Sequence, residues 1–196
     1  TEPPTSDPGA ALISKGWEAG SKLRSGGFAD RIRLSSEPVL VKFLTDEIFS
    51  WEQHFIQSEK KAFVCLRKSD KGCPLCAVGD QARARHMFSV ADLSGDEVEV
   101  KKLEFGNRLY DDLLDVHEGP RGPLTRYCLR ISSHGKNFDT RYVVDTVKDR
   151  DLEEEEGITA DDVERETKNL KPLERDSLYI APWETLAEVA ETIVSA

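Results

Sequence analysis

Cys65, Cys73 and Cys76 fall within twelve residues, and the last two form Cys-Pro-Leu-Cys. Thiolates and imidazoles are the ligands that zinc takes in fours at tetrahedral corners. The Cys-x-x-Cys pair closes a tight chelate, because the two intervening residues let both sulfurs turn to one ion. Cys65 lies eight positions before Cys73, and the polar Lys68–Gly72 loop between them is long enough to bring it back. Three residues offer the fourth ligand: His54, eleven positions before Cys65, His86, ten after Cys76, and the distant Cys128. A redox dithiol of the thioredoxin type would open a helix after a buried strand in a βαβ unit, and the surroundings here read as antiparallel strands instead. The expectation is therefore one structural zinc ion. Four protein ligands leave no position for a substrate water, so the site should not be catalytic.

The elements around this knuckle read mostly as strands. Val39–Leu44, Ile48–Ile56 and Lys61–Leu66 alternate β-branched and aromatic residues and suggest an antiparallel meander. A short helix is expected from Ala77 to about Arg85. Strands should follow at His86–Leu93 and Val98–Phe105, joined by Ser94-Gly95-Asp96. Gly106–Val116 has helical spacing of Leu109, Leu113 and Val116, with Gly119-Pro120 to end it. Leu124–Ser132 and Thr140–Val147 complete the strands, and 10–34 reads as a helical lead-in. The fold class is mainly β with some α.

Charge is uneven. Residues 150–196 hold 14 acidic against 5 basic side chains, whereas the rest holds 23 against 22. The body is nearly neutral, and 150–176 is an acidic segment that reads as an exposed helix or solvated linker, or as a surface for a partner. After Pro182, Trp183, Leu186, Val189, Ala190, Ile193 and Val194 follow helical spacing, so 177–196 should hold an amphipathic helix. It would dock on the body or on a partner. Residues 1–9 are polar and Pro-rich, which predicts disorder, and show no signal-peptide pattern. With clustered cysteines, this places the protein in a reducing cytoplasm. No apolar run reaches the ~18 residues of a membrane span. There is no Gly-rich phosphate loop, no HExxH and no defensible acid pair, so no enzyme is expected.

The order of parts resembles the zinc-containing single-stranded DNA-binding proteins of tailed phages, the T-even helix-destabilising type. A strand (Val-Leu-Val-Lys-Phe-Leu, 39–44) leads to His54, then Cys65 and the Cys73–Cys76 knuckle. A short helix, a strand pair ending Val-Lys-Lys-Leu-Glu-Phe-Gly (100–106) and a helix at Asn107–Val116 follow. The resemblance covers about 39–147. It implies an OB-fold barrel over 10–149 with an inserted zinc subdomain at about 50–90, and His54 as the fourth ligand. It also implies coating of single-stranded DNA in phage replication, recombination or repair, inside the host cytoplasm. Here the zinc-loop spacings are shorter and the body is not net basic.

Sequence-blind strand binding needs basic groups for phosphates and flat side chains for bases. Lys42, Lys102, Arg108, Arg130 and Arg141 are the phosphate candidates, and Trp51, Phe105 and Tyr142 the stacking candidates. The acidic segment would occupy the basic groove when DNA is absent, or recruit replication or recombination proteins. A protein-binding zinc module acting through the acidic tail is the alternative, and a thiol redox enzyme ranks last.

Overall fold

The computed structural model describes residues 31–135, 139–174 and 178–195. Seven strands form one sheet: β1 (Val39–Phe43), β2 (Phe49–Ile56), β3 (Lys61–Val64), β4 (Arg83–Asp92), β5 (Glu99–Phe105), β6 (Cys128–His134) and β7 (Arg141–Val147). Among the described residues, five helices accompany them: α1 (Pro74–Ala77), α2 (Asn107–Glu118), α3 (Asp149–Glu156), α4 (Ala160–Thr167) and α5 (Trp183–Val194).

Among the described residues, every ladder between these strands is antiparallel, and β4 is the hub. Its first half pairs with β2 (Trp51 opposite Arg85) and its last residues with β1 (Phe43 opposite Val90). Its other edge carries β5, with Phe88 opposite Leu103. β1 continues outward to β6 and then β7. This corrects the expected meander: β2 and β3 form a hairpin, but β1 and β2 lie end to end along one edge of β4 and so cannot pair with each other. No ladder joins β5 to β7 among the described residues, and the sheet is open. The 31–35 segment runs through that gap, where Ile32 N–H donates to the Lys102 carbonyl (2.9 Å) and Ser133 N–H to that of Ser35 (2.7 Å). Its Arg31–Leu34 stretch is therefore not the helical lead-in expected over 10–34, of which the remainder lies outside the described residues.

Alternation along the strands sends side chains to two covered faces. Val41 and Phe43, Phe88 and Val90, Leu103 and Phe105, and Leu129 and Ile131 meet Leu109 and Leu113 of α2 in the main core. Leu40, Cys128 and Val147 point the other way and meet Leu152 of α3 and Val163 of α4. The acidic run is thus folded onto the body by one apolar side chain per helix. Thr159 and Asp162 cap α4 reciprocally, and Gly157 ends α3 in the left-handed conformation (φ 70°) that favours glycine. The helix expected at 77–85 is instead α1, four residues inside the knuckle, and β4 already begins at Arg83. Pro74 suits the first helical position, since its missing N–H would have had no partner there.

Candidate metal centre

The β2–β3 hairpin places the first two ligands. His54 stands opposite Phe63, and Gln53 opposite Val64. The Cys65 N–H extends the ladder by donating to the Glu52 carbonyl at 2.8 Å. Residues 52, 54 and 56 share one face of β2, so Cys65 falls diagonally beside His54 on that face, with Ile56 behind. The knuckle brings the other two. His54 Nε2 lies 3.5 Å from the Sγ of both Cys73 and Cys76, and Cys65 Sγ is 3.5 Å from Cys76 Sγ. All four ligand atoms fall within 4.8 Å of one another, and the cysteines are free thiols. This group can hold a metal ion.

The donor geometry fits a tetrahedral ion. Bonds of about 2.3 Å to sulfur and about 2.0 Å to nitrogen imply tetrahedral edges of roughly 3.8 Å between sulfurs and roughly 3.5 Å between sulfur and nitrogen. His54 is fully buried (0% exposed), and its Nδ1 meets Asp80 Oδ1 at 2.5 Å. A carboxylate behind a ligating imidazole fixes the tautomer that leaves Nε2 free for the metal. Asp80 reaches this place because Gly79 reverses the chain at φ +87°, a left-handed conformation that L side chains rarely adopt. The turn is closed by the Asp80 N–H on the Leu75 carbonyl (3.1 Å). Asp80 was not among the sequence candidates. The cue was a carboxylate four positions after Cys76, behind a glycine.

The thiols are unequal. Burial opposes ionisation of Cys73, but the N–H groups of Cys76, Leu66 and Leu75, with the Cys65 thiol, outweigh it and bring Cys73 down to about 7. Burial and the sulfurs of Cys65 and Cys73 push Cys76 up to about 11. Three sulfurs at this spacing repel as thiolates, and a bound cation is what would allow all three to ionise together.

His86 is not part of the cluster. Its ring bridges Ser50 (2.9 Å) and Asn107 (3.1 Å). Cys128 sits under α3 and α4, and burial raises its thiol to about 11, as suits an inert core residue.

The predicted nucleic-acid residues scatter. Lys102 is 5% exposed and stands opposite Ser89, whose Oγ accepts the Leu173 N–H at 2.8 Å. Leu173 thus lies beside Ser89 on this face, and Lys102 is too buried to meet a phosphate. Phe105 is 2% exposed and stacks on Phe88 in the main core, with centroids 6.1 Å apart, so it presents no face to a base. Arg130 is held by Glu155 (2.6 Å) and Glu156 (2.5 Å) of α3. Lys42 donates to the Arg126 carbonyl at 3.2 Å, and Trp51 Nε1 to Gln53 at 3.3 Å. Arg108 donates to the Thr140 carbonyl at 2.9 Å, and Arg141 is exposed at the start of β7. Of the eight, Tyr142 and the buried Phe105 line a cleft of about 900 Å³, together with Arg31, Arg33, Arg85 and Lys101. Arg31, Arg33 and Arg85 were missed because they come together only when 31–34, β4 and β5 meet.

No family model, curated protein or solved structure matches the chain. Among the described residues, no helix is long and apolar enough to cross a membrane.

Proposed function

We propose that the chain is a zinc-stabilised single-stranded DNA-binding protein of the OB type, acting in replication, recombination or repair. The observation that carries this reading is a cationic cleft with Tyr142 on its wall, beside a sheet whose path runs β5–β4–β1–β6–β7. An OB-type barrel would use that strand order, and α2, between β5 and β6, would then stand between its third and fourth strands. The OB-fold is a partly open barrel that takes oligonucleotides on its face. The knuckle is then an insertion between β2 and β4. Zinc is the metal that best suits one imidazole and three thiolates at tetrahedral spacing.

The cleft, rather than Lys102 or Phe105, is where the strand would lie. Arg130 lies outside the cleft, on the other face of β6, and there the acidic α3 would compete for any phosphate that wraps onto it. The test is a tryptophan-fluorescence titration of the full chain with an unstructured oligonucleotide, a duplex control and a salt series. Binding of the single strand in preference to duplex, weakening as salt rises, is the expected result. No binding to either at low salt would overturn it. Exposed Tyr179 (65%) and Ile180 (51%), just before α5, favour a second reading. In it, this region contacts a replication or recombination protein, and such binding would survive high salt.

A further inference from the structure

Arg85 occupies a demanding position. Its Nε is buried with no hydrogen-bond partner. Leaving a buried polar group unpaired costs stability, and native structures seldom do so without a reason. Its Nη1 lies 3.8 Å from where a Cβ on Gly106 would be, and Gly106 caps α2 without any side-chain hydrogen bond. The guanidinium therefore sits beside the partly positive end of a twelve-residue helix. Burial, then repulsion from Arg31, makes its charge harder to keep, while Glu104 and Tyr142 oppose that.

Counter-charge in this cleft is already committed. Glu104 pairs with Arg31 at 3.3 Å. Lys101 is held by Asp92 (2.9 Å) and Glu99 (3.1 Å). Among the described residues, no carboxylate lies within ion-pair distance of Arg33 or Arg85. Cations held together at the wall of an open cleft are a site waiting for an anion. The volume of about 900 Å³ exceeds what a bare inorganic anion fills and falls in the range of small-molecule sites. Half-buried Tyr142 adds a flat ring on the same wall, suited to a base.

We propose that this cleft binds the phosphate of a nucleotide unit, with Arg85 as the central phosphate contact, Arg31 and Arg33 flanking it and Tyr142 beside the base. For a nucleotide within a strand, this rests on the single-strand reading above; a free nucleotide is the other source of the same chemistry. A planar guanidinium forks onto two phosphate oxygens, so the bound anion would satisfy the Nε that the protein leaves unpaired.

Arg85→Gln and Arg33→Gln chains are titrated beside wild type with an oligo-dT strand over a salt series. dTMP, thymidine and inorganic phosphate are titrated separately by calorimetry. Arg85→Gln should weaken strand binding about tenfold and lower the salt slope by ~0.7, the value for one phosphate on a single strand. Exposed Arg33→Gln should act in the same direction but less, and it covers the case in which Arg85→Gln does not fold. dTMP should bind more tightly than either thymidine or phosphate alone. If wild type binds the strand and both variants match it in affinity and slope, the cleft proposal falls and the single-strand reading stands. If wild type ignores the strand but binds dTMP in an Arg85-dependent way, the cleft stands and the single-strand reading falls. If it binds neither, both fall.

Discussion

The molecule has two cores built on different physical terms. The sheet core under α2 is built on apolar packing, with Phe43, Phe88, Phe105, Leu103, Leu109 and Leu113 packed among one another. The core of the metal-centre region joins Ile56, Leu75, Leu186 and Val189 to the sulfur ligands themselves, with Cys73 buried and Cys65 and Cys76 packed against the rest. The first closes by burial alone. The second is short of apolar mass, and its sulfurs repel if they ionise without a cation. A small core of that kind usually needs a staple, and a metal held by His54 and the three cysteines would supply it. The two also differ in connection. α2 follows β5 directly, whereas α5 reaches the knuckle from more than a hundred residues away, as in the Lys71–Glu184 pair (3.4 Å).

This contrast can be broken by experiment. The largest effect should come from Cys73→Ser or from stripping the metal with a chelator. Metal content should fall to zero, α5 should release, and Trp183 fluorescence should change, while the sheet keeps its own melting transition. One transition that falls as a unit would show the two cores to be a single cooperative body. Next, Leu186→Ala, at a fully buried position on α5, should cost about 2–5 kcal/mol. The loss should appear in the metal-dependent transition, as read by paired thermal melts at 222 nm and by Trp emission. Leu113→Ala should lose a similar amount from the other transition.

A smaller change sharpens the comparison. Asp80→Asn keeps the shape behind His54 but removes the carboxylate charge, and metal affinity should drop about 10–100-fold in a competitive chelator titration. Unchanged affinity would reduce Asp80 to packing. The smallest effect belongs to α3. Glu155→Gln with Glu156→Gln should free Arg130 and tighten oligonucleotide binding a few-fold at low salt, with the gain vanishing as salt rises. Deleting 150–196 would be a poorer test, because it strips Leu152, Val163 and all of α5 from their cores. Weaker or equal binding by the double variant would remove α3 as a competitor.

How much was legible follows from range. Cys65, Cys73 and Cys76 could be read because ligand type and spacing are local signals; spacing left the fourth ligand open among His54, His86 and Cys128, and the β2–β3 register places His54 in the cluster. The β4–β5 hairpin and the Leu109/Leu113 stripe of α2 were readable for the same reason. β1 beside β6 was not, since that pairing joins residues almost ninety apart and depends on which edge of β4 is taken. Lys102 and Phe105 looked available because a strand pattern tells which residues share a face, but not what later crosses it. Lys102 is buried beside Ser89, and Phe105 is buried under α2. In the acidic run, the cues were single apolar residues, Leu152 and Val163, each one turn or more inside a charged helix.

The distance between the knuckle and its cover has a consequence during synthesis. Glu184 follows its partner Lys71 by 113 residues. At 5–20 residues per second, the thiol cluster would stand without α5 for roughly 6–23 s on each ribosome. Thiols left bare for that long are open to oxidation, whereas metal-bound thiolates are shielded. The expectation is that the nascent chain captures its metal well before α5 is made. Thiol alkylation of ribosome-bound chains halted near residue 150 would read this directly: protection by added zinc supports early capture, and equal labelling with and without zinc refutes it.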